Sequence, residues 1–150
     1  MAPFAVNKKA YHDYEILETY EAGLVLHGHE VKSIREGSIT LKGSYVGINH
    51  TNELFVHSMH IPPYSKASSS MEQYDPYRTR KLLLHKQEIM KLIGKLAQKG
   101  LTLVPLSVYS KNHRIKLEFA LVKGKKKVDK RDDLKKKDIQ RDIERSFKTR

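Results

Sequence analysis

The sequence has no cysteine and no tryptophan among its 150 residues. Without thiols there can be no disulfide and no zinc site built on thiolates, and a reducing compartment is the natural setting. No stretch approaches the roughly 18 apolar residues of a membrane span. The opening MAPFAVNKKAYHDYEI also lacks the uninterrupted apolar core of a signal peptide. A cytoplasmic protein with no membrane partner is expected. The short signatures of common chemistry are missing too: GxxxxGK(S/T), GxGxxG and GxSxG are all absent. Asp13, Glu21 and Glu30 could act as acids or bases in any fold, which leaves an RNA-modifying or RNA-cleaving enzyme as a competing reading. No nucleophile stands out with its base, so no enzyme and no cofactor is expected.

What the chain has in quantity is positive charge. Lysine and arginine number 29 against 17 acidic residues, a formal net charge of +12. Charge of that size in a small chain calls for a polyanionic partner, most often nucleic acid, because each phosphate contact releases condensed counterions. The charge is unevenly placed. Residues 121–150 carry 13 basic and 6 acidic side chains, against 16 and 11 in residues 1–120, so the tail holds more than half of the net charge. A run of this kind is usually a solvated or disordered face. Within it, however, Ile139, Ile143 and Phe147 recur every four residues after Leu134, a stripe that becomes a helix if a partner covers it. The length suits one compact domain, divided as a body over 1–122 and a basic tail over 123–150.

The body reads as mainly β. DYEILETY places Tyr14 and Ile16 on one side, and with the turn-like EAG at 21–23 it predicts a first hairpin into GLVLHGHEV. EVKSIREG predicts a short helix stopped by Gly37. SYVGIN and ELFVHSMHI, joined by HTN, predict a second hairpin. Residues 62–76 combine prolines with a serine run and read as an exposed loop. Next comes the best helix, with Ile89, Leu92, Ile93, Leu96 and Ala97 on one face and Gly100 at its end. The clearest strands are LTLVPLSVYS and RIKLEFALV. In the second, Ile115, Leu117, Phe119 and Leu121 face one way and Arg114, Lys116 and Glu118 the other. Pro105 marks an edge or bulge in the first. About six strands, mostly in hairpins, with one good helix between the fourth and fifth, predict an OB-like antiparallel β-barrel with accompanying helices.

Two basic groups in the body suit RNA: YRTRKL at 77–82, with Arg78, Arg80 and Lys81, and NKKAYH at 7–12. Ordinary strand-face charge explains the first about as well. The eight histidines include His27 and His29 two apart and His57 and His60 three apart, but no HExxH or carboxylate pattern accompanies them, and no metal is expected. A generic single-strand binder or ribosomal protein fits these features as well as a dedicated RNA adaptor does.

Several segments together resemble a known family, small protein B or SsrA-binding protein, which partners transfer-messenger RNA in bacterial ribosome rescue. They are NKKAYHDYEILETYEAGLVLHGHEVKSIREG, DPYRTRKLLLHKQEI, KGLTLVPLSVY and ALVKGKKKVDKR, in the family's order and spacing over most of the chain. The resemblance implies an OB-like barrel that binds the tRNA-like domain of the RNA. The family's RNA-binding positions match Asn7, Glu21 and Leu83. Glu21 could accept hydrogen bonds from base amino groups or fix the first turn, and Leu83 could touch RNA or support the surface from within. Lys8, Lys9, Arg35, Arg78, Arg80 and Lys81 are added as phosphate contacts. In the tail, Gly124, Lys125 and Lys126 match a GKK motif and Asp129, Lys130 and Arg131 a DKR motif. The resemblance places these at the decoding centre of the small ribosomal subunit and its ribosomal RNA, with Ile139, Ile143 and Phe147 carrying a helix in the empty messenger channel. Family members often carry a ring between the two motifs, whereas here Val128 has none to stack. Elongation factor Tu and alanyl-tRNA synthetase are implied through the charged RNA, and the protein is expected to be a monomer.

Overall fold

The computed structural model describes residues 2–66 and 73–124. Its element order is β1 (Ala5–Val6), α1 (Lys8–Asp13), β2 (Tyr14–Leu24), α2 (Gly28–Arg35), β3 (Tyr45–Ile48), β4 (Leu54–His57), β5 (Arg80–Leu83), α3 (Lys86–Leu96), β6 (Leu101–Lys111) and β7 (Arg114–Gly124). The strands pair in the order β1-β6-β3-β4-β5-β2-β7, and β6 also pairs with β7. That last pairing closes β6, β3, β4, β5, β2 and β7 into a ring. The fold is an OB-like antiparallel barrel with β1 added outside β6.

The expected first hairpin is not formed. Residues 14–24 are one long strand, and Glu21, Ala22 and Gly23 pair directly with Glu118, Leu117 and Lys116 of β7. Ala22 is 1% exposed and belongs to the barrel core, so EAG does not turn. Pairing along the whole of β7 outweighs the turn propensity of a glycine. The chain bends at Leu17 instead, where a register shift between Ile16 and Glu18 makes a bulge. Ile16 and Tyr14 then pack outside the barrel, while Ala22 points inside.

The bulge expected at Pro105 is present, as a register shift between Pro105 and Ser107. Proline has no N–H to give the ladder, and β1 attaches beside it, with the Asn7 amide donating to the Leu106 carbonyl at 2.7 Å. Inside the barrel lie Leu54, Val56, Leu82, Leu103, Leu117 and Phe119, with Ile34 of α2 and Leu92 of α3 packed against them. A second cluster of Ala10, Val104, Leu106, Ala120 and Val122 fixes α1 to the outer wall. The face of β7 expected to be buried is buried: Ile115, Leu117, Phe119 and Leu121 are at most 6% exposed.

The helix of residues 28–35 ends just before Gly37, whose φ of +81° favours glycine. The best predicted helix runs only to Leu96, with Ala97 as its cap and exposed, and Gly100 at φ +86° turns the chain into β6. The second hairpin forms as β3 and β4. Three short elements escaped the sequence reading: β1, α1 and β5.

Candidate nucleic-acid interface

Strand alternation puts one row of side chains across the outside of the barrel. Leu83 of β5 lies opposite Gly23 of β2, Gly23 opposite Lys116 of β7, and Lys116 opposite Tyr109 of β6. An added Cβ at Gly23 would sit 3.4 Å from Leu83 Cβ and 3.8 Å from Lys116 Nζ, so a bare backbone keeps the two strands' side chains close. Around this row opens a groove of about 810 Å³. Leu24, Leu26, Val31, Leu83, Leu84 and Ile115 give it apolar surface, Arg114 and Lys116 cations, Glu21 and Glu88 carboxylates, and His85 and His113 its remaining polar rim. Leu83 is 54% exposed and forms part of the open surface rather than the core.

Glu21 is held rather than loose. The Tyr109 hydroxyl donates to its Oε2, and Lys111 Nζ lies 3.3 Å from its Oε1. The Tyr109 hydrogen bond, then Lys111 and the charge of Lys116, keep its carboxyl below the usual range despite some desolvation. Tyr109 is pushed up by burial and by Glu21. The result is an ionised carboxylate on the open surface with lone pairs to spare, which can accept from base amino groups while the nearby cations meet phosphates.

The structure brings together Glu21, Leu83 and, at the rim, Arg35, whose Nη2 donates to the His113 carbonyl at 3.3 Å. Asn7 is elsewhere. It is 9% exposed, and its Oδ1 accepts from the Ala10 amide at 3.2 Å while its Nδ2 donates to the Pro105 carbonyl at 2.9 Å. Both ends of its amide tie α1 to the β6 bulge. Lys8 and Lys9 are exposed, beside a separate depression shared with Lys42. Lys81 is half-buried on β5, its Nζ 2.7 Å from Glu53.

Arg80 overturns the expectation of a phosphate contact. It is 0% exposed, with Nε donating to Glu30 Oε2 at 2.7 Å, Nη1 to the Met59 carbonyl at 2.6 Å and Nη2 to the Tyr74 hydroxyl at 2.7 Å. An inward position on a barrel strand gives a guanidinium no route to solvent, so it must find acceptors inside. Glu30 is equally buried and also accepts from Arg78 Nη2 at 2.5 Å, Tyr74 and the His27 amide. Burial alone would raise its pKa, but Arg78, the His27 N–H and Arg80 more than offset it and hold it at about 2. Glu30 is therefore a structural anion, not a candidate acid or base. Arg78, with a side chain 29% exposed, is largely committed to the same cluster.

His27 and His29 stack on each other, and among the described residues no group of three metal-type side chains gathers. Gly124 ends β7 opposite Tyr14. Lys125, Lys126, Val128, Asp129, Lys130, Arg131, Ile139, Ile143 and Phe147 lie outside the described residues. Sequence reasoning missed Tyr109 and Lys111, although it did place Arg114 and Lys116 on the outward face of β7.

Fold and groove define a basic OB-like barrel with a mixed polar and apolar cleft on its outer wall. Comparison with known proteins makes the assignment specific: the SmpB protein family matches residues 4–149, and the chain belongs to that family. The SsrA-binding protein of Persephonella marina is 55% identical over 144 residues, covering 96% of this chain and 93% of that one. The SsrA-binding protein of Geobacillus kaustophilus is 55% identical over 146 residues, covering 97% and 92%. A solved structure described as "tmRNA-SmpB: a journey to the center of the bacterial ribosome" matches with a TM-score of 0.67 and 46% identity over 84% of this chain and 90% of that one.

Proposed function

We propose that the chain is a non-catalytic RNA adaptor whose barrel groove holds the tRNA-like domain of transfer-messenger RNA and whose tail acts in the messenger channel of a stalled ribosome. The observation that carries the first half is the meeting of Glu21 and Leu83, far apart in sequence, in one groove that also holds Arg114 and Lys116. A groove with cations, an oriented acceptor and open apolar surface suits RNA, where phosphates supply affinity and unpaired bases supply contact. Relatives named SsrA-binding protein and a structural neighbour described with tmRNA and the ribosome support the reading.

The tail's role rests on its GKK and DKR motifs and on a charge that suits a phosphate-lined tunnel. Residues 1–122 then form the RNA-binding unit and 123–150 the ribosome-directed one. Aminoacylation of the RNA falls to alanyl-tRNA synthetase, and GTP hydrolysis to elongation factor Tu bound to the charged RNA, in the cytoplasm. Arg80 has no part in binding, and Asn7 serves by holding α1 and β1 in place.

Competition binding tests the groove. A labelled tRNA-like-domain fragment should resist excess bulk tRNA and poly(U), and Leu83→Ala should weaken it. Displacement by those competitors as readily as by unlabelled fragment would favour a generic single-strand binder instead.

A further inference from the structure

The outside of β3 and β4 carries a set of rings that the groove does not use. Tyr45 and His57 face each other in the β3–β4 register, and their rings stack with centroids 4.9 Å apart at 19°. Gly47 lets His57 lie flat, since a Cβ there would come within 3.2 Å of His57 Nε2. On its other side His57 Nδ1 lies 3.2 Å from Thr79 Oγ1, so the ring is also held by the residue that leads into β5. Tyr45 is 51% exposed, which leaves part of its π surface to solvent. Just after β4 and just before β5, His60 and Tyr77 bring their rings to 4.7 Å, with Tyr77 58% exposed. A shallow cavity of about 300 Å³, almost entirely apolar, lies beside His57 between Gly47, Ile48, Phe55 and Thr79.

Flat, pre-stacked and partly open rings are the surface on which nucleic-acid bases stack, whatever the base, because each base has a π face. The rings are immobilised before any ligand arrives, which lowers the ordering cost of binding. A cation stands at the right place: Lys81 lies opposite Phe55 in the β4–β5 register, its side chain 43% exposed and its ammonium 2.7 Å from Glu53. Lys81 and Leu83 leave β5 on the same face two residues apart, so the ring surface runs on into the groove. We propose that the Tyr45–His57 stack is a binding site for unpaired bases of single-stranded RNA, with Lys81 meeting an adjoining phosphate. A protein partner fits less well. The surface offers flat faces and polar ring edges rather than aliphatic knobs, on a chain of net charge +12.

The test uses the full-length protein and two hexanucleotides, oligoadenylate and a strand of the same backbone with abasic riboses. The basic tail attracts both strands, so the ratio of their affinities isolates base stacking. Wild type should prefer oligoadenylate at least about fivefold, the low end of one stacked base. Tyr45→Ala should bring the ratio near one, and Tyr45→Phe should keep it. His57 ring proton resonances should shift upfield on titration with oligoadenylate. An unchanged ratio in Tyr45→Ala, or a ratio near one in wild type, overturns the proposal. The oligonucleotide ratio reads the rings and the tRNA-like-domain competition assay reads the groove, so failure here and failure of the groove reading are distinguishable.

Discussion

Replacing Glu30 tests how the barrel carries a buried charge. Its carboxylate accepts from Arg78, Arg80, Tyr74 and the His27 amide, and both Glu30 and Arg80 are 0% exposed. Glu30→Ala removes the anion and leaves the Arg80 guanidinium buried with only neutral acceptors. Removing one partner of a buried pair costs about 3–5 kcal/mol, against a typical domain stability of about 5–15 kcal/mol. Urea denaturation at pH 7 should show a loss in that range. The acid limb gives a second reading. Glu30 falls from an ordinary 4.5 to about 2 in the folded state, worth about 3 kcal/mol. A depressed folded pKa means that this stability is present above pH 4.5 and fades as pH falls from 4.5 toward 2. Glu30→Gln should remove that part of the acid dependence. Replacing the pair together, Glu30→Leu with Arg80→Met, should be less harmful than Glu30→Ala, because no charge is left unpaired. A loss below about 1 kcal/mol for Glu30→Ala, within the range of exposed pairs, would refute the cluster's role, as would an unaltered acid limb in Glu30→Gln.

Other outcomes follow from the same geometry. Asn7→Ala removes the cap of α1 and the side-chain donor to the Pro105 carbonyl, and should cost about 1–2 kcal/mol by urea denaturation. Once corrected for folded fraction, it should change RNA affinity little. Phe119→Ala empties the centre of the barrel and should cost about 3–5 kcal/mol in the same assay. Tyr109→Phe removes the main hydrogen bond that holds Glu21 ionised, so the Glu21 pKa should rise toward its ordinary value in a carboxyl-carbon NMR titration.

How much of this was legible in the sequence depended on the range of the interactions. The alternation of β7, the β3–β4 hairpin, the Gly37 stop and the Pro105 bulge are local patterns, and each was read correctly. EAG misled because a glycine after two small or polar residues looks like a turn, while the pairing of β2 with β7 that keeps it extended joins residues about a hundred apart. Arg80 misled for a similar reason. A basic residue among basic neighbours reads as surface, and its acceptor Glu30 lies fifty positions away. The four residues of β5 and the six of α1 are too short to show a period. In the groove, Glu21 and Leu83 came from family resemblance, whereas Tyr109 and Lys111 needed the barrel's register to reach Glu21.

The central claim is a division of labour between groove and tail, and one measurement reaches it. A chain ending at Gly124 keeps all of β7 and loses the motif-bearing segment after it. Its affinity for the tRNA-like-domain fragment should match that of the full chain at moderate salt, while peptide tagging on stalled ribosomes should collapse. Loss of fragment binding in the shortened chain, or tagging that persists, would contradict the account.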